Sequence, residues 1–361
     1  MTVAPTTPAS TVDAVIGQLV TELGGSLGVL LIALGNRCGL WTAMAGAGPL
    51  TPAELARRTG AAEPLVREWC RAQAAGGYLT YQPVDATFVL PDTVAGALVY
   101  GPGGALVDAC TKMLCSLAGE FDAFTEAFRA GTGFGWHRHD DRFWHGSDAL
   151  TRVALPYTLV GAILDALGPE IDALMAGGTV LDVGCGYGTP TIAMARRLTS
   201  ARLLGLDYNK ASVTHARRAA ADADVAERVR FERGAATDLP GSGYGLVTFF
   251  DSLHDLGDPV GALMQARDVL APGGAVLLVE PLAGDRVEDN LTPSGRMFYA
   301  VSTLICTPNA VSQVAQSEGT SPLGTQAGEP LLRATGKAAG FTRIRRVPVD
   351  APLNLVMELR P

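Results

Sequence analysis

The sequence has 361 residues, 48% of them hydrophobic and 18% charged, and carries a formal net charge of −8. That length suits two domains, and the composition is that of a globular chain rich in core-forming residues. The acidic balance argues against a general nucleic-acid or anionic-membrane binder.

The six cysteines (Cys38, Cys70, Cys110, Cys115, Cys185, Cys306) are scattered without a C-x-x-C pair, so free thiols are expected and no metal site is read from them. The Thr/Pro/Ala-rich start reads as disordered. It has no Lys or Arg ahead of an apolar stretch, which argues against a signal peptide. The apolar run 27–34 is far shorter than the ~20 residues that span a bilayer. A cytoplasmic location is expected.

In chain order, residues 12–40 show helical spacing with breaks expected at Gly24-Gly25 and Gly35. Thr51-Pro52-Ala53-Glu54 opens a helix with a capping residue, an early proline and Glu at N3. That helix stops at Gly60, and a second runs from Glu63 to Ala75. Tyr78–Tyr81 and Thr87–Leu90 flank a turn and predict a small hairpin. Helix, turn, helix and hairpin make a winged-helix pattern. A DNA reader needs a cationic face, yet acidic residues outnumber basic ones up to Cys110, and Arg67 and Arg71 are offset by Glu63 and Glu68. Residues 1–95 therefore read as a winged-helix domain used for homodimer contacts.

Residues 96–168 read as a helical linker that also lines a substrate pocket. A helical stretch over 103–130 ends in Gly131-Thr132-Gly133-Phe134-Gly135. The segment 136–145 follows, with three of the five histidines and two of the four tryptophans. Aromatics, histidines and carboxylates in a loop suit a pocket wall. His137 and His139 at i, i+2 do not share a helix face, which counts against a metal site there. A further helix is expected over 147–167 with Tyr157 on it.

From residue 169 onward strands and helices alternate, which predicts a parallel sheet covered on both faces. The strands are 179–183, 202–207, 229–232, 245–250 and 275–280, followed by a closing antiparallel hairpin from 341–349 and 353–359. The first strand runs into Asp182-Val183-Gly184-Cys185-Gly186-Tyr187-Gly188 and then a helix. Strand, glycine turn and helix aim backbone N–H groups and a helix N-terminus at a ligand. Asp207, at the next strand end, stands where an acid accepts ribose hydroxyls. Tyr208 beside it offers a ring for an adenine face.

The spacing here is G-x-G-x-G rather than the dinucleotide G-x-G-x-x-G. With Asp207, the strand-four segment DSLHD and LAPGGAVLLVEP, it resembles a class I S-adenosylmethionine-dependent methyltransferase. The resemblance covers about half of the chain. The winged helix in front is similar to that of small-molecule O-methyltransferases and of a bacterial methyltransferase group labelled regulators. STLICTPNAVSQ (302–313) and LGTQAGE (323–329) look closest to the second group.

The resemblance implies an α/β fold: a Rossmann-like, seven-stranded domain over 169–361 behind a mostly helical N-terminal domain. It implies S-adenosyl-L-methionine held by Asp182, Gly184, Gly186, Gly188, Asp207, Tyr208 and Asp251. Ala235 stands where the family often has an acid that reads adenine, so Ala236, Thr237 and Asp238 are the candidates for that contact. His254 and Asp255 resemble the His-Asp pair of the O-methyltransferases, and Glu280 matches the carboxylate that orients the histidine. A histidine so steered is a workable base near neutral pH. Substrate contacts are expected from Trp136, His137, Trp144, Tyr157, and Arg296 and Tyr299 of the insertion 285–323.

The function implied is methyl transfer to a small, fairly apolar molecule, on oxygen, nitrogen or carbon, in specialised metabolism. Two alternatives stay open: carbon methylation of an alkene such as a prenyl diphosphate with Mg²⁺, and a winged-helix transcription regulator that binds S-adenosylmethionine.

Overall fold

A computed structural model describes residues 11–314 and 322–361; the start of the chain expected to be disordered lies outside them. The chain forms two compact units, neither of them continuous in sequence. One runs to Ser116 and adds Asp141–Val153; the other takes Leu117–Asp140 and Ala154–Pro361. The segment 96–168 is thus divided between them.

In the first unit, Pro52–Thr59 is a helix with a complete Thr51/Glu54 capping box, closed by Gly60 at φ 71°. Glu63–Ala75 follows, then the antiparallel pair β1 (Thr80–Gln82) and β2 (Thr87–Val89). The expected winged helix is present. Its core is built on Trp41 and Trp69, whose rings meet edge-on at 4.7 Å. Their indole N–H groups donate to the carbonyls of Ile32 (3.0 Å) and Leu31 (2.9 Å). Gly35 lets them in: a Cβ there would lie 2.5 Å from Trp41 Nε1 and 2.7 Å from Trp69 Cζ2.

The breaks expected at Gly24-Gly25 and Gly35 do not occur. Val12–Arg37 is one helix of 26 residues, since helical glycine costs only about 1 kcal/mol against alanine and does not by itself stop a helix. This helix, rather than the short run 27–34, is the relevant apolar element. It is long and apolar enough by length and composition to cross a membrane, at mean hydropathy 1.7. The helix expected over 103–130 is two, Gly103–Gly119 and Phe121–Ala130. The one expected over 147–167 is also two, Asp141–Ala154 and Tyr157–Asp165, parted by Pro156.

The second unit carries seven strands: β3 (Thr179–Val183), β4 (Arg202–Asp207), β5 (Val229–Arg233), β6 (Tyr244–Phe250), β7 (Leu270–Pro281), β8 (Arg343–Arg346) and β9 (Asn354–Arg360). Their order is β5-β4-β3-β6-β7-β9-β8. The first five pair in parallel, and β9 runs antiparallel to both β7 and β8. Alternate residues serve opposite faces. Val180, Leu203, Leu246 and Leu277 pack with Ile163 and Met194, while Leu181, Val247, Leu278 and Met357 pack with Leu263 and Leu332. The strand order reverses at β3. In such sheets the crevice beyond the carboxyl ends at the reversal is where ligands bind, and the glycine loop follows β3.

Candidate active site

Gly184, Gly186 and Gly188 all have positive φ (73°, 53° and 85°), the region that L side chains rarely adopt. The N–H groups of Gly184 and Cys185 both go to the Leu206 carbonyl at the end of β4, so the loop is clamped to its neighbour strand. A Cβ on Gly184 would come 2.6 Å from Ser252 Cβ, and one on Gly188 would come 2.7 Å from the Phe231 ring. Over Gly186 the space is open, with nothing within 4 Å of such a carbon. The helix Thr189–Arg197 begins directly after Gly188, whose left-handed backbone stands at the N-cap with no side-chain cap.

Asp207 closes β4. Its Oδ2 accepts from the Gly186 N–H (2.9 Å) and its Oδ1 from the Asn209 N–H (2.8 Å), so the acid is positioned by the loop it supports. Asp182 is more deeply enclosed. It is 1% exposed, with one oxygen accepting from the Thr191 hydroxyl and the other from the Thr248 hydroxyl at 2.8 Å. It ties β3 to the following helix and to β6. Asp251 follows β6 at φ 47° and accepts from Asn354 Nδ2 of β9 at 2.8 Å.

Burial pushes the carboxyls of Asp182 and Asp207 up to about 6 and that of Asp251, which also faces Glu280, up to about 7. Each folded value lies above the unfolded one of about 4. The native state therefore holds extra protons in that window, and the stability these groups contribute is full below about pH 4 and lost as pH rises through 6 to 7. The ligand-free protein is expected to melt at a lower temperature at pH 7.5 than at pH 5. Asp182→Asn, whose amide can still bond both threonine hydroxyls, should flatten that fall in scanning calorimetry. A melting temperature independent of pH over this range would contradict the assignment.

His254 lies in the short 3₁₀ turn Leu253–Asp255 after β6, and Glu280 lies near the end of β7. Glu280 is 1% exposed and accepts from the backbone N–H of Leu253 at 2.9 Å and of Ser252 and His254 at 3.3 Å. It also meets His254 Nδ1 at 2.6 Å. One carboxylate thus shapes the turn and accepts a hydrogen bond from Nδ1–H, and in the neutral ring this makes the Nε2 lone pair the reactive position. Nε2 stands 3.5 Å from Asp255 Oδ1. Burial lowers the basicity of the imidazole, but Asp255 and Glu280 outweigh it and hold its pKa well above the ordinary value.

The structure brings the substrate candidates together only in part. Trp136 and His137 form a 3₁₀ turn, with the His137 ring edge-on to Tyr208 at 6.1 Å. Asn309, 3% exposed, joins this turn to the base loop. Its Oδ1 accepts from the Trp136 N–H and the Tyr208 hydroxyl, both at 3.1 Å, and its Nδ2 donates to the Asp255 carbonyl at 3.1 Å. The glycine run before Trp136 permits the approach, since a Cβ on Gly133 would lie 2.4 Å from the Pro308 carbonyl. His139 is paired with Glu120 at 2.6 Å.

Tyr157 opens its helix with Arg196 over its ring at 4.6 Å. Arg296 and Tyr299 lie on Pro293–Val301, Arg296 exposed and Tyr299 half-buried. Ala236, Thr237 and Asp238 form the turn after β5, the latter two exposed. Trp144 belongs to the winged-helix unit, buried edge-on to Phe143 there at 6.3 Å. Sequence reasoning missed Asn309, Ser252 and Cys306. Asn309 and Cys306 lie in the quoted stretch 302–313, and Ser252 in DSLHD, so the motifs marked the region without the roles.

Residues 174–328 match the family model described as "Methyltransferase domain". The chain carries a methyltransferase domain. Residues 26–99 match the "Rv2258c-like winged HTH domain", so this methyltransferase domain stands behind a winged helix. The 27-O-demethylrifamycin SV methyltransferase of Amycolatopsis mediterranei is 37% identical over 107 residues, 29% of this chain and 39% of that protein. The trans-aconitate 2-methyltransferase of Deinococcus radiodurans is 30% identical over 174 residues, 48% of this chain and 63% of its own length. The chain spans less than half the length of the first relatives it matches, 39 to 49%.

Solved structures share the fold along nearly all of the chain. The mitomycin 7-O-methyltransferase has TM-score 0.66 at 18% identity, covering 97% of this chain and 98% of that one. Human N-acetylserotonin methyltransferase in complex with S-adenosylmethionine has TM-score 0.65 at 17% identity, covering 98% and 99%. The glycine cradle of this methyltransferase domain fits that cofactor: it is open over Gly186, closed to side chains at Gly184 and Gly188, and flanked by an acid at the β4 end.

Proposed function

We propose that this chain is an S-adenosylmethionine-dependent methyltransferase that methylates an oxygen of a small, fairly apolar acceptor, with His254 as the base. The observation that carries the reading is the buried Glu280–His254 pair, reached from the glycine cradle through the packing of Ser252 against Gly184. The backbone of Gly184, Gly186 and Gly188 would face the methionine part of the cofactor, Asp207 its ribose and Tyr208 its adenine. The bound cofactor supplies a methyl group on a sulfonium, displaced in line, so placing the two reactants provides most of the rate. His254 Nε2 takes the acceptor's proton, and Glu280 holds the ring and the resulting imidazolium. Trp136 and His137, registered by Asn309, would wall the acceptor pocket.

A 27-O-demethylrifamycin SV methyltransferase among the relatives and a mitomycin 7-O-methyltransferase among the structural neighbours support a specialised-metabolism acceptor. The test is incubation with S-adenosylmethionine and a panel of hydroxylated aromatic and macrocyclic compounds, reading S-adenosylhomocysteine and methylated product together. Tight S-adenosylhomocysteine binding with no product from any acceptor would defeat the enzymatic reading.

The winged helix is assigned to pairing two copies of the chain in the cytoplasm. Arg67 and Arg71 are ion-paired with Glu63 (3.1 Å) and Glu68 (2.7 Å), which supports a scaffold over a phosphate-binding face. On Val12–Arg37 the exposed Ile16, Val20, Leu23, Leu27, Leu30 and Leu34 repeat at alternating steps of four and three, the seam of a two-helix coil. Leu23→Glu with Leu27→Glu is expected to convert a dimer to a monomer in sedimentation velocity. A wild-type chain that sediments as a monomer, or partitions onto lipid vesicles, would overturn that assignment.

A further inference from the structure

His254, Asp255 and Cys306 are all buried, and their ligand atoms lie within 4.8 Å of one another. We propose that His254 Nε2, Asp255 Oδ1 and Cys306 Sγ form a binding site for one thiophilic divalent cation of the zinc type. The sequence hides this site, because the cysteine lies 51 positions after Asp255 and no spacing motif joins them.

Four observations point to an ion. Asp255 Oδ1 is buried, in a residue only 8% exposed, and lacks a well-formed hydrogen bond; its carboxyl faces the His254 imidazole and the Cys306 thiol, a cluster that a cation can bridge. Its distance to His254 Nε2 is 3.5 Å, long for a hydrogen bond and close to the ~3.3 Å edge of a tetrahedron built on ~2.0 Å metal bonds. Glu280 holds the other ring nitrogen, Nδ1, at 2.6 Å. That is the carboxylate–histidine arrangement that fixes the tautomer of a metal-ligating imidazole. Finally, Cys306 ends a π-helical turn, Ser302–Cys306, set between two α-helices. π-turns are rare and recur at functional sites, and this one directs the thiol to the base loop.

The ligand set also suits the ion. Asp255 and Glu280 bring two buried carboxyls to one imidazole, and a dication balances that charge. Imidazole, carboxylate and thiolate together select zinc over magnesium, and three protein ligands leave a fourth position open. On binding, the Cys306 thiol gives its proton to solvent, as does the imidazole if charged. No redox change is involved. The ion and an acceptor proton compete for the same Nε2 lone pair, so zinc inhibits turnover. That consequence rests on the base role proposed above, whereas binding does not.

Cobalt(II) titration of the full chain tests the site without reference to activity. The expected result is one ion per chain, with a thiolate-to-cobalt absorption in the near ultraviolet that zinc displaces. Cys306→Ser should abolish that band and Asp255→Asn should weaken binding, while Cys38→Ser with Cys115→Ser, the two exposed cysteines, should keep it. Unchanged S-adenosylhomocysteine binding would show that each variant is folded. A wild-type chain without the band, or a Cys306→Ser chain that retains it, overturns the proposal. Should Cys306→Ser fail to fold, His254→Gln takes its place: a band of unchanged intensity and affinity there overturns the site equally.

Discussion

Replacing His254 by Gln is expected to lower kcat by about 10² to 10⁴, the usual worth of a positioned general base, with little change in S-adenosylhomocysteine affinity. Gln keeps a polar side chain of similar reach and can still donate to Glu280, so the turn Leu253–Asp255, held through its backbone N–H groups, should persist. The pH profile separates chemistry from structure. In the wild type kcat should rise with pH as the imidazole loses its proton, because the adjacent carboxylates favour the charged ring; in the variant that rise should vanish. Full turnover by His254→Gln would remove the base and turn attention to an acceptor with no proton to lose, such as an alkene carbon.

The second large effect is expected from one methyl group. Gly184→Ala places a carbon 2.6 Å from Ser252 Cβ in a backbone conformation of φ 73°. Both strain and overlap oppose it, at roughly 1–3 kcal/mol each. Ser252 cannot simply retreat. Its hydroxyl donates to the Val183 carbonyl at 2.8 Å and its N–H to Glu280 at 3.3 Å. The cradle and the base turn should therefore fail together, with S-adenosylhomocysteine binding lost in calorimetry and turnover lost with it. Adding Ser252→Gly removes the overlap but not the strain, so the double variant should recover part of the binding. Equal loss in single and double variants would show that the contact is not what makes Gly184 necessary.

Local chemistry made much of this legible in sequence. The capping box at Thr51, the strand–glycine–helix run at 179–197, the acid at 207 and the carboxylate at 280 are each specified by neighbours a few positions away, and each stands where the pattern put it. The helix breaks expected at Gly24-Gly25 and Gly35 failed because glycine removes stabilisation without forbidding the conformation. At Gly35 the reason for glycine was tertiary: two indoles pass there. Asn309 was illegible for the same cause. Nothing near it in sequence says that its amide will meet Trp136, Tyr208 and Asp255, which are contributed by three other loops. Cys306 reaches His254 only through a π-turn, and no residue pattern in 302–306 announces one.

The strand order also sets how much chain each pairing must close. β3, β4 and β5 pair with near neighbours along the chain, so the cradle is built over short crossovers. β7, which bears Glu280, finds its outer partner only in β9, with Glu280 opposite Leu355, beyond the helical insertion and β8. Closing a longer loop costs more chain entropy. The β7–β9 pairing at Glu280 therefore carries a larger ordering cost than the β3–β4 and β4–β5 pairings beside the cradle.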